Sequence, residues 1–376
     1  MIDDTDIRAW AYLADKAEPH GDGLLAGLEC GIKDIIDVAG MPTSFGVDFR
    51  TVRPERDAWC VARLREAGAV IRGKTVTTPF AFRDPPVTRN PWNADRTPGG
   101  SSSGSAAAVA AGHVPFAIGT QTIGSVLRPA SFCGVVGFKP TYGLIATSGV
   151  SPLAPSLDHV GVLARDVATA LRVAQALGVA AGGSLSTPPR IGVDLVLNAE
   201  RYGLDARDAA AGGLATCAAR GAELLVLDAG SIAERAMSAL DPILAFEMHR
   251  SLGFLMTEPR TPPEVERVVR RGATVPRDAY EGALARREAM RGEAAALFEN
   301  CDVLALLCAG AAPSREGTGD PAGQGPWSFF GLPALALPVG RSAEGLPLSL
   351  QVVAPSGADE KVLAVAAWIE SALASV

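Results

Sequence analysis

The chain has 376 residues, 48% of them hydrophobic and 20% charged, with a formal net charge of −7; its mean hydropathy is +0.20 and its pI about 5.3. That length and apolar content build a large buried core, and the acidic balance argues against nucleic acid or an anionic membrane surface as a partner. No window holds the roughly 18 consecutive apolar residues of a membrane span, and the acidic start MIDDTDIRAW lacks the apolar core of a signal peptide, so a soluble cytoplasmic protein is expected.

Taken in chain order, residues 1–23 read as a short N-terminal helical segment. Pro54 to Gly68 has helical spacing, with Ala58, Val61, Ala62 and Leu64 apolar and Gly68 as its stop, and Ala69 to Arg72 follows as a short buried strand. Ser105 to Ala111 is an Ala-rich helix, Pro115 to Gly119 a strand, and Gly134 to Phe138 a strand ended by Pro140. Arg165 to Leu177 is helical. Further strands are expected at Ile191–Leu195, Glu223–Leu227, Val303–Cys308, Ala334–Val339 and Leu348–Val353, with helices at Ala279–Phe298 and Glu360–Ala374. Short apolar strands alternating with helices argue an α/β layered fold whose sheet is covered on both faces. Leu177 to Pro189 is the best linker candidate, yet strands resume beyond it in the same style, so a surface loop within one domain, 1–376, is expected. The long Gly-rich loop Ala309 to Gly325 has the length of a functional loop.

The six cysteines form no C-x-x-C pair and sit in apolar runs, which reads as buried reduced thiols. The four histidines make no metal-ligand spacing with Cys or Glu, so no metal is expected. Only five of the 34 basic residues are lysines: Lys16, Lys33, Lys74, Lys139 and Lys361. A lysine kept inside an apolar run is therefore conspicuous, because lysine loses its proton on burial and arginine does not. Lys33, among Gly31, Ile32, Ile35 and Ile36, is such a residue; Lys74 and Lys139, both at strand ends, are rivals.

The densest chemical signal is Thr97 to Gly143, TPGGSSSGSAAAVAAGHVPFAIGTQTIGSVLRPASFCGVVGFKPTYG. Two small-residue turns, at Ser101–Ser105 and Gly124–Ser125, are separated by the Ala-rich helix and an apolar strand, a layout that lets backbone N–H groups approach a substrate. It is not a phosphate loop, because Ser105 and Ala106 stand where Lys and Ser or Thr would follow the last glycine. No G-x-S-x-G elbow ties a serine to His20, His113, His159 or His249; His113 reads as a helix-end residue and His159 as polar surface. Read alone, Ser101 is as readily a helix cap, Ser125 a turn residue and Lys33 a surface lysine.

GIKDIIDVAGMPTSFG, GAVIRGKT, TPGGSSSGSAAAVAAG and GTQTIGSVLRPASFCGVVGFKPTYG, with the C-terminal GLPALALPVG and GLPLSLQVVAP, together resemble the amidase signature family, in that family's order from about Leu24 to the C-terminus. The resemblance implies a single α/β/α layered domain on a large, mostly parallel mixed sheet. It also implies a Ser–cisSer–Lys triad with Lys33 as base, Ser101 as relay and Ser125 as nucleophile. The backbone N–H groups of Thr122, Ile123, Gly124 and Ser125 would form the oxyanion hole, with Ser102 and Gln121 in support. The implied reaction is cleavage of a linear carboxamide through an acyl-enzyme, with no cofactor. The expected partners are a small-molecule amide and at most a second copy of the chain in a homodimer. A glutamine-hydrolysing amidotransferase component for aminoacyl-tRNA and a catalytically silent binding protein are the alternatives.

The nucleophile turn departs from the family's D-T-G-G-S-I-R: Gln121 and Leu127 replace the Asp and Arg, Arg128 is shifted by one, and Ile123 replaces a glycine. A β-branched residue tolerates few backbone conformations, so a reshaped turn or a narrowed pocket is expected. Pocket walls are expected from Phe80–Asp84, Gly310–Phe330 and the helix near Glu247.

Overall fold

The computed structural model describes residues 2–15, 21–179 and 185–374. Its strands are β1 (Trp10–Leu13), β2 (Glu29–Lys33), β3 (Val70–Thr75), β4 (Phe116–Gln121), β5 (Val136–Lys139), β6 (His159–Ala164), β7 (Arg190–Asp194), β8 (Glu223–Val226), β9 (Val303–Leu307), β10 (Ala334–Arg341) and β11 (Pro347–Val353). All eleven form one sheet in the order β1-β3-β2-β4-β6-β5-β10-β11-β9-β7-β8. The helices are α1 (Asp4–Ile7), α2 (Trp59–Glu66), α3 (Ser103–Ala110), α4 (Leu127–Cys133), α5 (Val167–Ala176), α6 (Ala199–Tyr202), α7 (Leu204–Ala219), α8 (Gly230–Leu252), α9 (Pro263–Gly272), α10 (Arg277–Ala296), α11 (Gly325–Phe330) and α12 (Asp359–Leu373). β4, β5, β6, β9 and β11 are buried at every position, so both faces of the sheet are covered there, as their largely apolar sequences require.

The α/β architecture on a large mixed sheet stands, but the sheet is not mostly parallel. Parallel pairing is confined to β3-β2-β4 at one side and β9-β7-β8 at the other. The stretch between them, β4-β6-β5-β10-β11-β9, is antiparallel throughout. A connection as short as the turn from β10 to β11 can only join antiparallel neighbours, whereas a parallel crossover needs a dozen or more residues. Among the described residues of the expected N-terminal helical segment, helix is limited to the four residues of α1, followed by edge strand β1, antiparallel to β3. The helix expected from Pro54 begins at Trp59, and β3 runs on through Gly73 and Lys74 to Thr75. The linker candidate lies partly outside the described residues, and β7 after it joins the same sheet. The six cysteines are buried and free.

Two neighbouring parallel strands position the site. β2 and β4 pair in register, Ile32 opposite Ile118, and their carboxyl ends deliver Lys33 and the turn after Gln121 to the same edge. Crevices beyond the carboxyl ends of parallel strands are where such sheets bind ligands. α3, SGSAAAVA, is buried except at its last residue, and its small side chains let it lie close against β2, β3 and β4. Gly104 is required there: a Cβ would fall 2.2 Å from the Ala9 carbonyl oxygen and 2.4 Å from the Val76 nitrogen.

Candidate active site

Lys33 is the last residue of β2 and has no accessible surface. Its Nζ lies 2.7 Å from Ser101 Oγ, 2.8 Å from Thr120 Oγ1 and 3.4 Å from the Thr120 carbonyl oxygen. No carboxylate bonds to it, so burial holds the amine well below the ordinary lysine range, with the Asp158 charge acting weakly the other way. Lys33 is therefore not a snorkelling surface residue. Nor is Ser101 a helix cap: α3 has no side-chain cap, and the hydroxyl of Ser101, which follows a cis Gly100–Ser101 peptide bond, meets the lysine instead. Thr120 as a third member of this cluster was missed in the sequence, where it reads as one more strand position.

The remaining serines of the first turn fasten α3 to the strands. Ser102 Oγ donates to the Thr120 carbonyl at 3.2 Å, and Ser105 Oγ pairs with Thr75 Oγ1 at 2.7 Å. The Ser102 N–H donates to the Ser125 carbonyl at 3.2 Å and joins the two turns. Ser125 itself is half-buried, lines a cavity, and has no hydrogen-bond partner for its hydroxyl among the described residues. No hydrogen bond links the Ser101 and Ser125 hydroxyls.

Gln121 does what the sequence left open. Its Oε1 accepts from the Val126 and Leu127 N–H groups at 2.8 and 3.0 Å, holding the start of α4, and its Nε2 donates to Ser328 Oγ at 2.9 Å. Ser328 Oγ in turn donates to the Ile123 carbonyl at 2.6 Å. The turn is thus pinned without an Asp–Arg ion pair. Ile123 has no left-handed φ, so a β-branched residue fits its backbone without strain, and its Cγ2 uses the room left by Gly325. Ile123 forms part of the cavity wall. The N–H groups of Ile123, Gly124 and Ser125 bond to no other described residue. Thr122 Oγ1 donates to Asp158 Oδ1 at 2.5 Å, while Asp158 Oδ2 accepts from the Leu153 and Ala154 N–H groups. Burial pushes Asp158 up to about 7, and these bonds act against the shift.

The cavity beside Ser125 is small and open to solvent on one side. Its walls include Ile123, Gly124 and Arg128, the segment Ala81, Phe82 and Arg83, and Pro321 from the long Gly-rich loop. Two of the three expected wall segments contribute; Glu247 does not, being occupied by the Ser156 N–H and the Tyr280 hydroxyl, each at 2.8 Å. Arg128 is buried, with one nitrogen 2.8 Å from the Gly100 carbonyl and 3.1 Å from Thr318 Oγ1, and desolvation lowers it to about 10.

The rival residues are engaged elsewhere. Lys74 forms a buried ion pair with Asp34 at 3.3 Å and a 2.8 Å bond to Thr43 Oγ1. Lys139, lowered by burial to about 7, donates to the Pro140 carbonyl at 2.9 Å and does not line the cavity. His159 is buried, not polar surface: as a member of β6 its Nδ1 faces the Leu157 and Gln121 carbonyls at 2.7 and 3.1 Å. His113 sits past the end of α3, bonded to Trp10 Nε1 at 3.0 Å. His20 lies outside the described residues. Among the described residues no group of three or more His, Cys, Asp or Glu side chains is placed to hold a metal ion, and no helix is long and apolar enough to cross a membrane.

With this geometry in hand, the relatives are informative. The model of the family described as Amidase matches residues 2–180 and 194–363. A glutamyl-tRNA(Gln) amidotransferase subunit from Roseiflexus castenholzii is 46% identical over 184 residues, which is 46% of this chain but only 38% of that relative's length. A crystal structure of an amidase superposes with a TM-score of 0.87 at 32% identity, covering 98% of this chain and 93% of the other. The corresponding glutamyl-tRNA(Gln) amidotransferase subunit of Thermotoga maritima superposes with a TM-score of 0.81 at 27% identity, covering 96% and 87%. An α/β chain that matches the family model over nearly its whole length and shares the full fold of a known amidase belongs to the amidase family.

Proposed function

We propose that this chain hydrolyses a linear carboxamide through an acyl-enzyme on Ser125, with Ser101 as proton relay and Lys33 as base. The observation that carries the reading is a buried lysine with no carboxylate partner, 2.7 Å from a serine hydroxyl and beside a second serine that faces a cavity. A hydroxyl is a poor nucleophile until a base takes its proton, and an amine that burial keeps neutral is such a base. Ser125 Oγ forms the bond to the carbonyl carbon, its proton passing to Ser101 while Ser101 gives its own to Lys33 Nζ. The carbonyl oxygen gathers negative charge against the free N–H groups of Ile123, Gly124 and Ser125, where each well-placed donor contributes about 3 kcal/mol. The C–N bond then breaks, and the proton returns along the same path to the departing ammonia or amine. Water, deprotonated by the same pair, attacks the acyl ester and frees the acid and Ser125.

The test is ammonia release by the purified chain from a panel of small aliphatic, aromatic and dicarboxylic monoamides, beside Ser125→Ala. Wild-type turnover in the Ser125→Ala protein would remove the nucleophile from the mechanism. A second reading, a glutamine-hydrolysing component that passes ammonia to partners acting on aminoacyl-tRNA, is favoured by the names of the curated relatives. Amide hydrolysis by the lone chain, with no partner and no ATP, would count against it. A binding protein without catalysis is excluded if a fluorophosphonate labels Ser125.

A further inference from the structure

We propose that Arg83 selects amides whose acyl portion carries a carboxylate, an inference that rests on the hydrolase reading and narrows its substrate class. The cavity beside Ser125 is lined by two guanidinium groups, Arg83 and Arg128, and by no acidic side chain. The two differ in their commitments. Arg128 is held by the Gly100 carbonyl and Thr318, while Arg83 is exposed, lies 5.6 Å over the Phe82 ring and forms no hydrogen bond or ion pair within 4 Å with a described residue, although it feels the charges of Glu264, Asp241 and Asp320 and of Arg267. A guanidinium fork left open at the wall of a small cavity matches a planar carboxylate.

The backbone that presents Arg83 is held in an unusual shape. Phe80 and Ala81, two non-glycine residues in succession, have φ of 47° and 60°. Such conformations persist only where surrounding bonds over-determine them, and they gather at ligand clamps. Here the Phe80 N–H donates to the Phe45 carbonyl at 2.8 Å, and Thr78 Oγ1 donates to the Phe82 carbonyl at 2.6 Å. The Thr78 N–H donates to the Ser101 carbonyl at 3.1 Å. The arginine is thus fixed relative to the turn that carries the relay serine.

The charge distribution gives the carboxylate a direction. Arg83 and Pro321 also border a larger, open groove whose walls include Glu200, Glu234 and the ion pair of Arg201 with Asp320 at 3.0 Å. Glu200 and Glu234 make that groove less favourable to an anion than the cavity at Ser125, whose lining holds two guanidinium groups and no carboxylate.

The test compares kcat/KM for succinamate with that for butyramide, by ammonia release, in wild type, Arg83→Leu and Arg83→Lys at low and high salt. Binding of succinate to Ser125→Ala and to Ser125→Ala/Arg83→Leu is measured by calorimetry. The expected result is a wild-type preference for succinamate that falls about 10- to 100-fold in Arg83→Leu, mainly through KM. The preference should recover in part in Arg83→Lys and weaken in high salt. An unchanged preference in Arg83→Leu, with amides still cleaved through Ser125, overturns the inference and leaves the hydrolase reading intact. If neither amide is cleaved but succinate binds Ser125→Ala and is lost with Arg83, the hydrolase reading fails while the carboxylate site stands.

Discussion

Replacing Lys33 by methionine tests the base through stability before any substrate is involved. Met keeps most of the volume and removes the amine. In the folded chain the amine is depressed well below its ordinary value of 10.5 by burial, with no carboxylate in contact. Between that depressed value and 10.5 the unfolded chain binds one more proton at this site than the folded chain does. Wild-type stability therefore rises with pH across that window, by about 1.4 kcal/mol per pH unit, and levels off above it. Lys33→Met lacks this slope. The lost bonds to Ser101 and Thr120 shift the variant by a constant and leave the slope untouched, and the titrations of Lys74 and Lys139 cancel in the difference. Urea unfolding of both proteins at successive pH values measures that difference. Parallel curves at every pH would mean that Lys33 stays protonated in the folded state, and a protonated amine cannot be the base. In activity the same deprotonation sets the rising limb of the pH–rate profile, and Lys33→Met should be nearly inactive.

The Thr120 hydroxyl accepts from the amine, which favours its charged form, so Thr120→Val should move the rising limb to lower pH and lower kcat about tenfold; a pH–rate profile reads both. Gln121→Ala leaves the Val126 and Leu127 N–H groups unpaired in a buried turn, so denaturation should show a loss of about 3 kcal/mol and ammonia release a kcat down by about 100-fold. Gly104→Ala drives a methyl group into the Ala9 carbonyl and should cost about 3 kcal/mol in urea unfolding. His113→Ala should retain the chemistry, since that ring bonds only to Trp10 and to the backbone of Ile2. Loss of turnover there, in a folded protein, would revive a histidine-based triad.

What the sequence revealed, and what it concealed, follows from range. Strands buried on both faces announce themselves as largely apolar runs, so β4, β9 and β11 were legible within a residue or two. Their partners were not, because pairing is settled by distant residues, and the antiparallel seam through β6, β5 and β10 leaves no local mark. β6 itself was hidden by starting at His159, a polar residue that is buried with its Nδ1 against the Gln121 and Leu157 carbonyls. Lys33 stood out because lysines are few and this one sits among isoleucines. Thr120 and Asp158 did not: their contacts are with residues remote in sequence or across a turn. The Gln121 substitution looked like a missing ion pair, since the sequence names side chains but not the backbone N–H groups they hold.

The bond from the Thr78 N–H to the Ser101 carbonyl constrains how this protein can change its diet. The segment that lines the cavity and the turn that meets Lys33 share one backbone anchor. A shift of residues 78–82 that widened the cavity would drag Ser101 with it and loosen its 2.7 Å approach to Lys33. Side chains at the tip, Phe82 and Arg83, are free of that tether. Selection for new substrates should therefore accumulate exchanges at positions 82 and 83 while Thr78 and the residues up to Ala81 stay fixed, a pattern that deep mutational scanning on two different amides would read directly.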